Sequence, residues 1–356
     1  MDWKDQPVLV TGATGLVGTN LISRLLDAGA KVRATLHRRA PVVQDSRIEY
    51  ITCDLTDPEA CKKAVEGQSF VVHCAANTSG AATIATTPMV HVTPNVVMNT
   101  YLLEAAYHAG VQKFVWLSST TGYPPSGERP VREDEMFNGE PFDKYFFVGW
   151  MKRFTEVLCQ MYGERLPRKM TTIVLRPTNI YGPLDDFEPA TSHVAPALLR
   201  KVVERQAPLE VWGTGDDIRD LIYVDDMVEA IVRSLETLES YTTLNIGLGK
   251  TYSVKEILSL LMELDGHSDA QLTFNSSKPS MIPIRLIDPS KAEALIGFKA
   301  KVDLREGLKR TLEWYRASRD LPRPGVTGIS LSEVSLEDVP FTVLPVGIDA
   351  RNSSRF

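Results

Sequence analysis

The 356-residue chain predicts an α/β protein: a doubly wound parallel sheet with a smaller C-terminal lobe. Three observations carry that prediction. A short apolar run, Val8 to Val10, feeds a glycine-spaced turn and then an amphipathic stretch. Strand-sized apolar runs alternate with helical stretches through the first half. After Arg176 the alternation gives way to Gly/Pro/Asp-rich segments separated by helical stretches.

The first element stops at Thr11, and Gly12, Gly15 and Gly18 follow. Gly12 permits a tight turn, Gly15 lets backbone N–H groups approach a pyrophosphate, and Gly18 lets the next helix pack closely. The N-terminus of that helix offers donors and a favourable dipole to an anion. This is the pattern of a Rossmann-type dinucleotide site. Strands are expected at 7–11, 31–36, 48–52, 70–74, 113–118 and 171–176, with helices between them at 16–28, 58–66, 92–109 and 143–163. Gly, Pro and Asp cluster in 177–190 and 213–220, which read as irregular. Further helices are expected at 193–205, 225–236, 253–264, 289–295 and 303–318. Residues 1–176, with returning segments from the second half, are read as the dinucleotide domain and 177–321 as mainly a substrate-binding lobe. A ligand then lies between them, at the carboxyl ends of the strands. The tail, 322–356, has no assigned role; PFTVLPVGI within it reads as an added strand or as a segment packing on a neighbour.

Composition narrows the partners. The chain is 43% hydrophobic and 24% charged, with a net charge of −6. No basic block or basic-aromatic stripe stands out, which argues against nucleic acid. Apolar runs are strand-sized, so no membrane span is expected. The N-terminus lacks the apolar core of a signal peptide. Cys53, Cys61, Cys74 and Cys159 show no CxxC spacing, and Cys53 and Cys74 read as small buried hydrophobes at strand ends. A reduced cytoplasmic protein without a structural metal is expected.

The loop after the second strand discriminates between cofactors. An acid there accepts from the adenosine 2′-OH of NAD, whereas a base accommodates the 2′-phosphate of NADP. His37, Arg38 and Arg39 occupy it, with no acid until Asp45, which favours NADP(H) over NAD. Asp54-Leu55, after the third strand, is placed to meet the adenine amino group. Ala75-Ala76 supplies small side chains where backbone passes close to a cofactor.

Later segments add His73-Cys74-Ala75-Ala76, Asn95 with Leu102 to Ala106, Ser118-Ser119, and Leu175 to Pro183 (LRPTNIYGP). Trp212-Gly213-Thr214-Gly215 with Arg219-Asp220, Tyr223 to Asp226, Asn245-Ile246-Gly247 and Asp288 to Lys291 follow. In this order, from Val8 to about Leu312, the chain resembles the extended short-chain dehydrogenase/reductase family of nucleotide-sugar epimerases, dehydratases and reductases. Pro183 to Phe187, Ser192-His193-Val194 and Pro196 to Arg200 resemble its GDP-L-fucose synthase subgroup, which epimerises and, with NADPH, reduces GDP-4-keto-6-deoxymannose. The resemblance implies cofactor contacts at Gly12, Thr14, Gly15, Leu16, Val17, Gly18, Asn95, Lys152, Pro177 and Asn179. It also implies sugar-nucleotide contacts at Asn179, Arg219 and Arg285, with His193 as the acid of epimerisation. The resemblance further implies a homodimer, paired through helices 92–109 and 143–163.

Two departures fall at the catalytic centre. The family uses Tyr-x-x-x-Lys, whose spacing puts both side chains on one helix face. Lys152 fits the lysine, but Val148 stands four residues before it, with no proton to give. Tyr145 lies seven residues before Lys152, roughly 10 Å along a regular helix. If Tyr145 were the catalytic tyrosine, Gly149 would hold the lysine position. The subgroup's cysteine base is replaced by Thr120 and Thr121, and a hydroxyl is a far poorer base than a thiolate. Counting back from Tyr123 gives Ser119 as the polarising hydroxyl; counting from the strand end gives Ser118. Arg200 and Trp212 are further ligand candidates, each balanced by an ordinary surface or packing role, and Glu133 to Glu135 read as a solvated acidic loop.

The expected activity is therefore an NADP(H)-dependent reductase or epimerase of a GDP-linked 4-keto-6-deoxyhexose, impaired by Val148. The alternatives are a C4 epimerase or 4,6-dehydratase holding NAD(P), and a non-catalytic NADP-binding sensor or scaffold.

Overall fold

The structure is a computed structural model that describes residues 1–78, 86–189, 191–278 and 282–319. The tail segment PFTVLPVGI lies outside the described residues. Strands β1 (Pro7–Thr11), β2 (Lys31–Leu36), β3 (Glu49–Thr52), β4 (Phe70–His73), β5 (Lys113–Leu117) and β6 (Thr171–Pro177) coincide with the six expected, to within a residue or so at their ends. Helices α1 (Leu16–Asp27), α2 (Pro58–Val65), α3 (Pro88–His108) and α4 (Phe146–Gln160) alternate with them. A seventh strand, β10 (Thr242–Ile246), returns from the second half and extends the sheet, whose order is β10-β6-β5-β4-β1-β2-β3. All of its pairings are parallel, with Val8 opposite both Val32 and Phe70. The order reverses beside β1, and there the carboxyl ends of β1 and β4 open a crevice.

The second half holds short strands that were not expected, two of them, β7 (Asn179–Tyr181) and β9 (Ile218–Tyr223), lying in or starting within the stretches read as irregular. β7, β9 and β11 (Thr251–Ser253) form a three-stranded sheet, and β8 (Leu209–Trp212) pairs with β12 (Leu272–Asn275). Three to six residues each, they carry too few alternations to register as strands in the sequence. Between and after them lie α5 (Val194–Val203), α6 (Val224–Thr237), α7 (Val254–Asp265), α8 (Ser290–Ile296) and α9 (Leu304–Ser318), all close to expectation. Local chemistry sets their ends. Ser253 and Glu256 form a capping box that starts α7, and Gly266, in the left-handed region at φ 64°, stops it.

Two helices depart from the expected bounds. α3 begins at Pro88 rather than 92, which moves Pro94 from the first turn into the second. Proline has no N–H, which leaves the carbonyl of Val90 unbonded within the helix. The Asn77 side-chain amide fills the gap, donating to Val90 O at 3.0 Å. α4 begins at Phe146 rather than 143, because Asp143 to Tyr145 form a separate 3₁₀ turn closed by Tyr145 N–H to Phe142 O.

Cys53, Cys61 and Cys159 are buried and Cys74 is half-buried; all four are free thiols. Among the described residues no helix is long and apolar enough to cross a membrane, and no cluster of His, Cys, Asp and Glu is placed to hold a metal.

One polar network runs through the interior. Arg176 on β6 pairs with Glu156 on α4, Nη2 to Oε2 at 2.5 Å, with both side chains essentially buried. Ser118 Oγ donates to Glu156 Oε1, and Arg176 Nη1 donates to Tyr123 Oη and Glu133 O. Tyr123 Oη in turn donates to Asn245 on β10. A buried ion pair holds only while both charges are satisfied, because desolvation is otherwise uncompensated. Arg176→Met therefore leaves Glu156 alone in the interior. We expect it to lower unfolding free energy by about 3–5 kcal/mol in urea denaturation; a loss within about 1 kcal/mol would contradict this account of the network.

Candidate active site

The crevice begins at the glycine turn. Gly12 lies in the left-handed region at φ 69°, and a Cβ there would come within 2.7 Å of Ala75 N. A Cβ on Gly18 would meet Gly12 O at 2.2 Å, so α1 packs on the turn only with glycine at that position. Gly15 caps α1 without a side-chain acceptor, leaving the opening N–H groups directed at the crevice. Thr14, Gly15 and Leu16 are half-buried along its wall, whereas Val17 is buried and offers only backbone. Ala75, after β4, lies against the turn, and Ala76 beside it is exposed. This close-fitting, uncapped cradle suits the pyrophosphate of a dinucleotide.

Behind the cradle runs a chain of donors absent from the sequence reading. Ala75 N–H donates to Thr11 Oγ1. Thr11 Oγ1 lies 2.7 Å from His73 Nδ1, and His73 Nε2 lies 2.8 Å from Asn99 Oδ1. Asn99 Nδ2 donates to Thr155 Oγ1, which donates to Met151 O on α4. Burial lowers the His73 pKa to about 4, so its ring is neutral. The Asn99 oxygen only accepts, so Nε2 carries the proton and Nδ1 accepts from Thr11. The glycine turn and the helix bearing Lys152 are thus joined through side chains from three elements. Asn95, expected to touch the cofactor, instead binds Asn77 through its backbone N–H and O and donates to His91 O. It holds the loop after β4, a supporting role.

At the adenosine end, His37, Arg38 and Arg39 are exposed. The exposed Asp54 accepts two hydrogen bonds from Thr56, which lower its pKa, and its Oδ2 lies 4.0 Å from His37. Leu55 is buried and presents no side chain to a ligand.

The candidate reacting groups lie at the end of β5. Ser118 is buried and bonded to Glu156, which leaves Ser119, half-buried, as the open hydroxyl. Ser119 Oγ accepts from Thr121 N at 3.1 Å and from Thr121 Oγ1 at 3.0 Å. Both its lone pairs are used, so its own proton must be donated elsewhere. Thr120 is buried, and Thr121 orients Ser119. Val148 is buried one turn before Lys152. Gly149 beside it lets α4 rest on this turn, since a Cβ would lie 2.9 Å from Thr121 O. Lys152 Nζ donates to Leu117 O at 3.0 Å and lies 4.8 Å from the Trp116 ring centroid. Lost solvation lowers its pKa to about 8, partly opposed by the charge of Glu156.

The opposite wall comes from the second half. Pro177 is buried at the end of β6 and Asn179 is half-buried at the start of β7. Arg285 is buried, with Nη1 donating to Pro124 O and Nη2 to Tyr123 O, and its Nε has no partner. Burial lowers its pKa to about 10. Arg219 is held by Ile218 O, Ile282 O and Asp217, and its charge reaches the Tyr145 phenol across the cleft. His193 is the exposed residue capping α5; surrounding protein lowers its pKa, with Asp186 acting in the opposite direction.

One expectation fails here, at Glu133. Arg200 pairs with Glu204 at 3.0 Å, and Glu204 also accepts from Tyr315 on α9. Trp212 is exposed at the end of β8, with Lys278 over its ring. Glu133 is no solvated residue: it is buried and accepts from Asn245 N–H at 2.7 Å.

The matched family model, NAD dependent epimerase/dehydratase family, spans residues 8–247. The chain belongs to that family. Among curated proteins it is similar to the probable GDP-L-fucose synthase 1 of Oryza sativa subsp. japonica, 32% identical, with 88% of this chain and 92% of that one covered. Among solved structures it is similar to UDP-glucose 4-epimerase with UDP-glucose from Thermotoga maritima, at 26% identity and TM-score 0.79, covering 88% of this chain and 99% of that one. A GDP-6-OMe-4-keto-L-xylo-heptose reductase from C. jejuni matches at 25% identity and TM-score 0.77, covering 89% and 99%.

Asn99→Ala tests the donor chain. It leaves the His73 Nε2 proton without an acceptor, and we expect a loss of about 1–3 kcal/mol in thermal or urea unfolding. Stability equal to the parent would show that the chain carries no load.

Proposed function

We propose that this chain is an NADP(H)-dependent reductase/epimerase acting on a GDP-linked 4-keto-6-deoxyhexose. The observation that carries the reading is the placing of Ser119 and Lys152 together at the end of β5, on the helix that the donor chain ties to the glycine cradle. The similarity to a GDP-L-fucose synthase and to a GDP-ketosugar reductase supports the substrate class. Arg38 and Arg39, exposed after β2, support NADP(H) over NAD.

In this reading Gly12, Gly15 and the first turn of α1 hold the pyrophosphate, and Lys152 holds the nicotinamide ribose. The cofactor supplies hydride. Ser119 donates a hydrogen bond to the ketone oxygen, stabilising the charge that develops there. Arg219 and Arg285 take the diphosphate, and their guanidinium groups are already oriented by backbone carbonyls. His193, at the open mouth of the cleft, exchanges protons during epimerisation. Residues 1–176 with β10 form the dinucleotide part, and 177–321 chiefly the sugar-nucleotide part.

A second reading, a binding-only protein, is favoured by one observation: the buried Val148 where the family carries its phenol. Consumption of NADPH and of NADH with GDP-4-keto-6-deoxymannose separates the two. We expect NADPH to be preferred and Val148→Tyr to raise turnover by about tenfold or more, since a general acid contributes roughly 10²–10⁴-fold. Two inert proteins that still bind NADPH and a GDP-sugar would leave only the binding role.

We also propose a homodimer. α3 and α4 pack side by side, and Phe147, Trp150, Phe154 and Val157 form an exposed apolar stripe along α4 at helical spacing. Met89 and Val90 on α3 are exposed as well. Such a stripe fits a second copy of itself about a two-fold axis. A Trp150→Glu/Phe154→Glu variant is expected to sediment as a monomer where the parent sediments as a dimer; a monomeric parent would remove the assignment.

A further inference from the structure

We propose that Lys152 is itself the proton donor in this chain, acting on a ketone oxygen held by Ser119; the inference rests on the reduction reading above. Val148 supplies no proton, and Lys152 is the cationic N–H donor that the structure holds at the end of β5. Lys152 is tethered there: Leu117 O takes one N–H at 3.0 Å, two residues before Ser119. The ammonium has two further N–H bonds. One suffices for a ribose hydroxyl, which leaves one for the ketone oxygen.

The surroundings leave the ammonium free to act. Glu156, one turn along α4, is the carboxylate that acts on it, and both of its oxygens are engaged by Arg176 and Ser118. His73 from β4 and His91 from α3 also face it, each with its pKa lowered by burial to about 4, and both are neutral near pH 7. Trp116 from β5 supplies a ring face. Ser119 cannot take the proton first, because Thr121 fills both its lone pairs. A lysine whose pKa lies near 8 is protonated at neutral pH yet releases its proton readily to an alkoxide.

The step balances. The ketone carbon receives the hydride of a bound reduced nicotinamide dinucleotide, and the C=O π pair moves onto oxygen. A Lys152 N–H bond breaks, its pair stays on nitrogen, and the proton bonds to that oxygen. The products are the secondary alcohol, the oxidised dinucleotide and a neutral lysine, which regains a proton from water.

The test compares parent, Lys152→Arg, Val148→Tyr and the double variant on NADPH and GDP-4-keto-6-deoxymannose across pH. It also follows Lys152 Cε of the unliganded protein by ¹³C NMR. Arginine keeps the charge but does not deprotonate. We expect Lys152→Arg to cost about a hundredfold or more in the parent but about tenfold or less beside Val148→Tyr, where the phenol gives the proton. The parent rate should fall as pH rises through about 8, in step with the NMR titration. Equal losses in both backgrounds, a Lys152 titration at the ordinary value of about 10.4, or an inert parent beside an active Val148→Tyr would each overturn the proposal while leaving the reduction reading intact. If parent and Val148→Tyr are both inert yet bind NADPH, the reduction reading fails and the proposal with it.

Discussion

The buried pair of Glu156 and Arg176 is the constraint on which the site depends. It joins α4 to β6, and its remaining hydrogen bonds reach Ser118 on the β5 exit, Tyr123 in the following turn and Glu133 in the loop beyond. Tyr123 carries the network on to Asn245 on β10. Each side-chain oxygen and nitrogen in the pair has a partner, which is the condition under which charges remain stable away from water. The energetic consequence is register. A slide of α4 by one residue would strand Glu156, so Lys152, one turn earlier, is set against Leu117 and Ser119.

Thr155, the residue before Glu156, ties the same helix in the opposite direction. Through Asn99, His73 and Thr11 it reaches the backbone of Ala75, against which Gly12 is packed. Two adjacent residues therefore align one helix with both the cofactor cradle and the strand end where reduction is proposed. Placing reacting groups to a fraction of an ångström needs this kind of support behind them. The facing wall follows the same rule: Arg219 and Arg285 are directed by main-chain carbonyls rather than left free in solvent.

In the reduction proposed above, Val148 changes the chemistry without disturbing that scaffold. A buried aliphatic side chain occupies the helix position, and Gly149 beside it still allows α4 to lie on the Ser119–Thr121 turn. What changes is the inventory of protons at the strand end, which falls to Ser119, Thr121 and Lys152. Thr121 uses its own hydrogen on Ser119, so the hydroxyl pair behaves as one donor.

The parallel sheet, its helices and the glycine cradle were legible in the residues, because each depends on short-range features: apolar runs, helical periodicity and glycine spacing. The placing of Val148 one helical turn before Lys152 was legible for the same reason, four residues being one turn. Other features were set by partners distant in the chain. Pro94 became tolerable inside α3 only because Asn77 supplies the missing donor. Thr242 to Ile246 became a sheet strand only by pairing with β6, Glu133 became buried by binding Asn245, and Arg200 was drawn to Glu204 beside α9. The choice of Ser119 over Ser118 belongs with these, since Glu156 takes one hydroxyl and leaves the other open. Local pattern dictates which elements form, whereas the hydrogen-bond partner of a buried polar side chain is known only once distant strands and helices have come together.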